Sequence, residues 1–270
     1  MVLLPPHGLA GALAPGHRAR EVHVIQVNNL SKAFKTVQAV DDVSFTCPDG
    51  RVTGLLGPNG AGKTTTLRLL ATVMQADSGS ALIDGHDLRR DPQGVRAAIG
   101  VLSDNPGLYG RLTPREHLRY FGRLYGLGGK ALAQRIDELV TMLEMQEYAD
   151  RPAEGFSRGM RQKVAIARAL IHNPRTLLLD EPTAGLDVMS TRAMRELIRR
   201  LRDQGHCVLF SSHVMSEAEQ LCDHIAVISG GRLRASGTPA ELRAETGCQN
   251  LEDAFVRLVG LAGLNAGPAA

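Results

Sequence analysis

The chain has no tryptophan, and aromatic residues fill only 4% of its 270 positions. So small a supply argues against a surface on which nucleic-acid bases stack. Cysteine is sparse too, and Cys47, Cys207, Cys222 and Cys248 include no CxxC pair. Neither a zinc site nor a disulfide framework follows from that scatter, and a reducing cytosol is the simplest home. Charge of one sign is missing, since 31 basic residues face 28 acidic ones for a formal net charge of +3. That imbalance is too small to imply nucleic-acid binding. No window approaches the roughly 20 uninterrupted apolar residues of a membrane-spanning helix, so any work at a membrane requires another chain to cross it. What is present is ordinary: 43% hydrophobic and 22% charged residues exclude a disordered chain, a coiled-coil rod and a disulfide miniprotein. The length suits one α/β domain with an appended subdomain, or two small domains.

Residues 1–21 mix Pro, Gly and Ala, with basic residues arriving only at the end, the reverse of a signal peptide. They read as a disordered extension or an upstream start, and order is expected from about Val22. His23 to Val27 alternates like a strand, and Val52 to Leu56 is a short apolar run that feeds a Gly-rich segment. Thr176 to Leu179, Cys207 to Phe210 and Ile225 to Ile228 are apolar on both faces, as strands of a buried parallel sheet are. Helical stretches Met189 to Asp203 and Val214 to Cys222 separate them, which predicts a βαβ sheet. Between about Thr113 and Asn173 strand runs give way to helix signals. Thr113-Pro114-Arg115-Glu116 is a capping box, Gly126 is placed to end its helix, and Ala131 to Met145 and Arg158 to His172 follow. Gly230-Gly231 reads as a hairpin turn, and Thr238-Pro239-Ala240-Glu241 is a second capping box ahead of a last helix through Phe255 to Val259.

Gly57-Pro58-Asn59-Gly60-Ala61-Gly62-Lys63-Thr64 matches G-x-x-x-x-G-K-[ST], with a strand before it and a helix after it. Its glycines let successive N–H groups converge on phosphate oxygens, the helix adds its N-terminal dipole, and Lys63 adds an ammonium. The Thr64 hydroxyl suits Mg²⁺, and Thr65 follows in the same turn. Such a loop needs a carboxylate at the end of a neighbouring buried strand to hold the ion. Asp180 stands there, and Glu181 after it is placed either to orient and deprotonate an attacking water or merely to cap the turn at Pro182-Thr183.

Phe156-Ser157-Arg158-Gly159-Met160-Arg161-Gln162-Lys163 resembles the signature segment of ATP-binding cassette (ABC) proteins. With Asp180-Glu181-Pro182-Thr183-Ala184-Gly185-Leu186-Asp187 and Ser211-Ser212-His213 behind it, the motif order from about Val22 to Gly231 is similar to that of an ABC ATPase. The resemblance implies an α/β fold, a P-loop NTPase core with an N-terminal antiparallel β subdomain and an inserted α-helical subdomain at about 105–173. The ATP-binding domain would span 22–240, with a C-terminal helix and tail at 241–270. It implies ATP and Mg²⁺ as ligands. Gly57 to Thr65 would hold the phosphates, and Phe34 would offer a face to adenine unless it is a core residue of the N-terminal sheet. Thr64 and Asp180 would hold the metal, Glu181 and His213 would serve hydrolysis, and Asp187 would couple two sites unless it is only a turn acid. Ser157 and Gly159, at a helix N-terminus, would face the γ-phosphate of ATP on a partner subunit, so two sites form only in a head-to-tail homodimer or cassette heterodimer. Arg158 departs from the commonest signature, and either strengthens ATP binding or is solvated. Asp104 stands where the family has a Gln that touches Mg²⁺ or its water; an Asp still ligates magnesium but is shorter, charged and unable to donate.

One cassette without a membrane span resembles the separate ATP-binding subunit of a transporter, peripheral on the cytoplasmic face of the membrane beside a polytopic transmembrane permease. The segment Asn105 to Leu118 and the Phe-Ser-Arg-Gly-Met-Arg-Gln-Lys signature resemble the sodium-export ATPases and their antibiotic and multidrug export relatives. Sodium export is the expectation, with drug, antibiotic or lipid export beside it. A soluble, non-transport ABC ATPase is the remote alternative, because the chain carries neither tandem cassettes nor a coiled-coil insertion.

Overall fold

The computed structural model describes residues 23–105 and 107–265; the expected extension at 1–21 lies outside the described residues. Two long strands open the chain, β1 (His23–Phe34) and β2 (Val37–Pro48), followed by β3 (Val52–Leu56), α1 (Lys63–Leu70), β4 (Ser78–Ile83) and β5 (His86–Asp87). Next come α2 (Pro92–Ala98), β6 (Ile99–Leu102), α3 (Pro114–Leu124), α4 (Gly129–Met142) and α5 (Arg158–Leu170). The second half runs β7 (Thr176–Leu179), α6 (Val188–Asp203), β8 (Cys207–Ser212), α7 (Met215–Leu221), β9 (His224–Ser229), β10 (Arg232–Gly237), α8 (Pro239–Thr246) and α9 (Leu251–Asn265).

The strands form two sheets among the described residues, an antiparallel one in the order β2-β1-β4-β5 and a second in the order β10-β9-β3-β8-β7-β6. In the second sheet β9, β3, β8, β7 and β6 run parallel, and β10 joins antiparallel to β9 at the edge. That edge pairing is set by Gly230 and Gly231, whose φ of 57° and 75° suit a two-residue hairpin turn twisted to match its strands.

The period-two geometry of a strand divides each apolar run between two cores. Leu55, Leu178, Leu209, Ala226 and Ile228 pack with α1 and with Ile25, Val27, Leu30 and Val43 of the antiparallel sheet. Their chain neighbours Leu56, Leu177, Leu179, Val208, Phe210, Ile225 and Val227 pack on the other face against residues of α3 to α7. Covered on both faces, these strands show none of the alternation of a half-exposed strand. Each fully buried large side chain, such as Phe210 or Leu55, contributes roughly 1.5–3 kcal/mol of transfer free energy.

The helical stretch forms as its start signals predict. Thr113 caps α3 with both halves of the capping box present and Pro114 in the first turn, and Gly126 follows the helix at φ 78°. Helix α4 occupies Gly129–Met142, beginning and ending earlier than the expected Ala131 to Met145, because Leu143 is the cap and Glu144 turns to φ 53°. Strands β2, β4, β5 and β6, and the far end of β1, add to what the sequence pattern revealed. Four irregularities in the register against β2 interrupt the alternation along β1. None of the described helices is long and apolar enough to cross a membrane.

Candidate nucleotide-binding site

The candidate site is built at the carboxyl ends of the central strands, where α/β sheets place their ligand crevices. The loop after β3 turns into α1 through Gly62, which serves as N-cap at φ 102°. A Cβ there would collide with the Ala39 carbonyl oxygen, so both the backbone angle and the neighbour require glycine. Lys63 is buried, at 6% exposure, and donates to the carbonyl oxygens of Gly57 at 2.7 Å and Pro58 at 3.1 Å. Its ammonium lies 3.5 Å from the Glu181 carboxylate. A buried lysine tied to its own loop and to a carboxylate keeps the loop closed around a cationic centre, ready to exchange those oxygens for phosphate oxygens.

Asp180, at the end of β7, is buried and accepts from the Thr64 hydroxyl at 3.1 Å and from the Ser211 hydroxyl at 2.7 Å. The Ser211 oxygen in turn accepts the Glu181 N–H at 2.9 Å. Glu181 itself sits at φ 48°, the left-handed region that a non-glycine residue occupies only when its surroundings enforce it. That turn carries its side chain to the mouth of β8, where His213 Nδ1 lies 2.9 Å from Glu181 Oε2. A carboxylate only accepts, so Nδ1 carries the hydrogen and Glu181 fixes the ring's orientation.

Lys63, Thr64, Glu181 and His213 face one open cleft of about 640 Å³, walled also by the rest of Asn59 to Thr65, by Gln38 and Ala39 of the β1–β2 arm, and by Gly230 and Gly231. The volume lies within the range of small-molecule sites. Among the described residues no group of three or more His, Cys, Asp or Glu is placed to hold a metal by itself. The hydroxyl of Thr64 beside the carboxylate of Asp180 is instead a pair of hard oxygen donors, the set that fits a magnesium ion completed by phosphate and water.

The remaining predicted residues fall into two groups. Phe34 ends β1 opposite Val37 and is 44% exposed, which removes the alternative of a core residue. The arm residues facing the cleft are Val37, Gln38 and Ala39. Asp104 reaches the cleft's rim, and its carboxylate lies 3.7 Å from the Arg158 guanidinium. That guanidinium also packs over Gly185, 2.8 Å from where a Cβ would stand. A second groove, of about 570 Å³, starts at Asp104 and runs past Leu108, Glu154, Arg158 and Gln162. Its loop is anchored by the fully buried His117, which accepts the Tyr109 N–H at 2.9 Å through Nε2 and sits 2.9 Å from the Thr113 carbonyl oxygen through Nδ1. Burial holds this imidazole below its ordinary range, in the neutral form that those two contacts require.

Ser157 caps α5 by accepting the Met160 N–H at 3.2 Å. With Gly159 it lines an apolar groove shared with Met160, Met189 and Met194, apart from the cleft that holds Lys63. Asp187 caps α6, and the Ser190 N–H that it accepts at 2.9 Å is the main reason its carboxyl is held below the usual range. The sequence marked Ser211 and Gln162 only as parts of motifs and gave no sign of Gln38 or Glu217. A glycine pair after a strand was the one local sign of the Gly230-Gly231 wall.

The family model described as ABC transporter matches residues 40–184. The chain is 44% identical over 238 residues to the ABC transporter ATP-binding protein NatA of Bacillus subtilis, covering 86% of this chain and 97% of that one. It is 38% identical to the daunorubicin resistance ATP-binding protein DrrA3 of Streptomyces coeruleorubidus, over 84% of this chain and 72% of the relative. A solved structure titled as the ATP binding subunit of an ABC transporter superposes with a TM-score of 0.79 at 31% identity, covering 87% of this chain and 99% of the other.

Proposed function

Because the chain belongs to the ABC transporter family, as an ATP-hydrolysing subunit that works with a transmembrane permease, we propose a specific division of labour among the residues of its cleft. The triphosphate of ATP lies against the N–H groups of Gly60 to Thr65, and Lys63 leaves the Gly57 and Pro58 carbonyls to meet it. Thr64 and Asp180 hold Mg²⁺, which when bound neutralises phosphate charge. Glu181 takes the proton of the attacking water, His213 contacts the γ-phosphate end, and Phe34 borders the adenine. The observation that carries this reading is the convergence of α1 and the ends of β7 and β8, where Thr64 meets Asp180, Lys63 pairs with Glu181 and Glu181 meets His213.

The cleft is completed by a second cassette. Ser157 and Gly159 line another face of the molecule, so their helix N-terminus serves the γ-phosphate held by a partner, with Asp187 at the seam between the copies. The groove that begins at Asp104 receives a permease segment on the cytoplasmic side of the membrane. Closure over ATP then moves α3 and α4 together with that segment, and hydrolysis resets the pair. Asp104 and Arg158 sit where the cleft and the groove meet, which supports a role in relaying occupancy.

The cargo is exported. The sequence resemblance to sodium-export ATPases favours sodium ions, and the daunorubicin-resistance relative favours a drug. The test is to tag the protein, solubilise native membranes gently and identify what copurifies by mass spectrometry. A stoichiometric polytopic membrane protein is expected, and vesicles carrying both subunits then decide sodium against drug efflux. Ribosomes, DNA or no partner would overturn the transporter reading in favour of a soluble ABC ATPase.

A further inference from the structure

Glu217 is a charged side chain in the core, 6% exposed, in the first turn of α7. No ion pair accompanies it among the described residues. A buried carboxylate without a cation is costly to keep. A helix N-terminus eases that cost but does not by itself explain where the side chain goes. It goes to two hydroxyls. The Thr183 hydroxyl donates to Glu217 Oε2 at 2.6 Å, and the Ser212 hydroxyl approaches the same oxygen at 3.5 Å. Ser212 also accepts the Val214 N–H at 3.0 Å, which fixes its hydrogen toward Glu217.

The two hydroxyls belong to the two segments that meet at the cleft. Thr183 follows Glu181 by two residues, and Ser212 immediately precedes His213. Glu181 holds a left-handed backbone angle that must be imposed from outside. The β8 side imposes it through the Ser211 contact to the Glu181 N–H. On the α5 side Gln162 donates to the Pro182 carbonyl at 2.9 Å. Glu217 closes the third side, and through Thr183 and Ser212 it adds a second, side-chain link to the β8 end that Ser211 already ties to Glu181.

We infer that Glu217 is a positioning residue for hydrolysis. It ties Thr183 to Ser212 and so sets the separation of Glu181 and His213. This rests on the reading that Glu181 and His213 serve the hydrolytic step. Glu217 is buried and is not among the residues that line the cleft, so its effect falls on turnover and not on nucleotide affinity.

The experiment measures phosphate release and ATP affinity for the full-length chain carrying Thr183→Val, Thr183→Ser, Glu217→Gln, and the Thr183→Val/Glu217→Gln pair, with Glu181→Gln as reference. Thr183→Val keeps shape and removes the donor. It is expected to lower kcat by about ten-fold with KM for ATP changed by less than about two-fold, the loss of one hydrogen bond to a charged group. Thr183→Ser is expected to restore turnover, and the double variant to fall no further than the weaker single one. Wild-type kcat in Thr183→Val overturns the inference. So does equal loss of turnover and melting temperature in Thr183→Val and Thr183→Ser, or multiplicative loss in the pair. Normal turnover in Glu181→Gln overturns the parent reading and this inference with it, whereas its inactivity beside a fully active Thr183→Val overturns this inference alone.

Discussion

Replacing Glu181 by Gln separates two effects that the structure places on one side chain. The Glu181 carboxylate lies 3.5 Å from the Lys63 ammonium, with side-chain exposures of 15% and 6%. At an effective dielectric near 20, two unit charges at that distance attract by about 5 kcal/mol before desolvation is counted. Desolvation offsets most of this in a buried pair, and a net of about 1–2 kcal/mol is a reasonable remainder. That attraction competes with incoming phosphate for Lys63. Glutamine removes the competitor, so ATP binding should tighten by about ten-fold, the equivalent of about 1.4 kcal/mol. The amide oxygen still accepts from His213 Nδ1, 2.9 Å away from the present carboxylate oxygen, so the ring keeps its orientation. What disappears is the proton acceptor, and turnover should fall by about 10²–10⁴-fold. Titration with a fluorescent ATP analogue reads the first effect and phosphate release reads the second. Turnover within about three-fold of wild type would refute the assignment of Glu181 as base, and weakened ATP binding in a variant with unchanged melting temperature would refute the competition for Lys63.

Two further outcomes follow from packing and burial. In Gly57→Ala a methyl would run into the Ile228 carbonyl oxygen and stand 2.9 Å from the Ala61 methyl, so the loop must shift. An overpacking cost of about 1–3 kcal/mol should lower Tm by about 3–10 °C and weaken ATP binding, and an unchanged Tm would refute the close approach. His117, His172 and His206 are all held below the ordinary imidazole range chiefly by burial. The unfolded chain therefore binds more protons once the pH falls below about 6.5, and stability present above that value is lost as the pH falls toward the folded pKa values. Asp84, raised by burial, acts in the opposite sense. The urea midpoint should be lower at pH 5.5 than at 7.5, and a flat or rising midpoint would refute the claim that these rings fold neutral.

How far the sequence could be read depended on whether a signal lay within one window. The P-loop was legible because strand, glycines and lysine are contiguous, and β7 and β8 were legible because burial on both faces leaves uninterrupted apolar runs. The antiparallel arm was legible only over His23 to Val27, since beyond it β1 shifts register against β2 at three further places and so loses its period of two. Glu217 gave no signal, because nothing nearby in sequence reveals that Thr183 folds over it.

Asp104 and Arg158 show the same limit with a functional edge. Each departs from the usual ABC pattern, and taken alone Asp104 is a shorter acid that cannot donate, whereas Arg158 either strengthens ATP binding or is solvated. In the fold they face each other at 3.7 Å across the junction of cleft and groove. The donors that an aspartate lacks in comparison with glutamine are then supplied by the guanidinium. Both side chains are more than half exposed, so the pair adds at most about 1 kcal/mol to stability. An interaction that weak does not hold a fold together, but it is weak enough to be broken and remade when the cleft fills. The two departures therefore read better as one charge-matched substitution than as two losses.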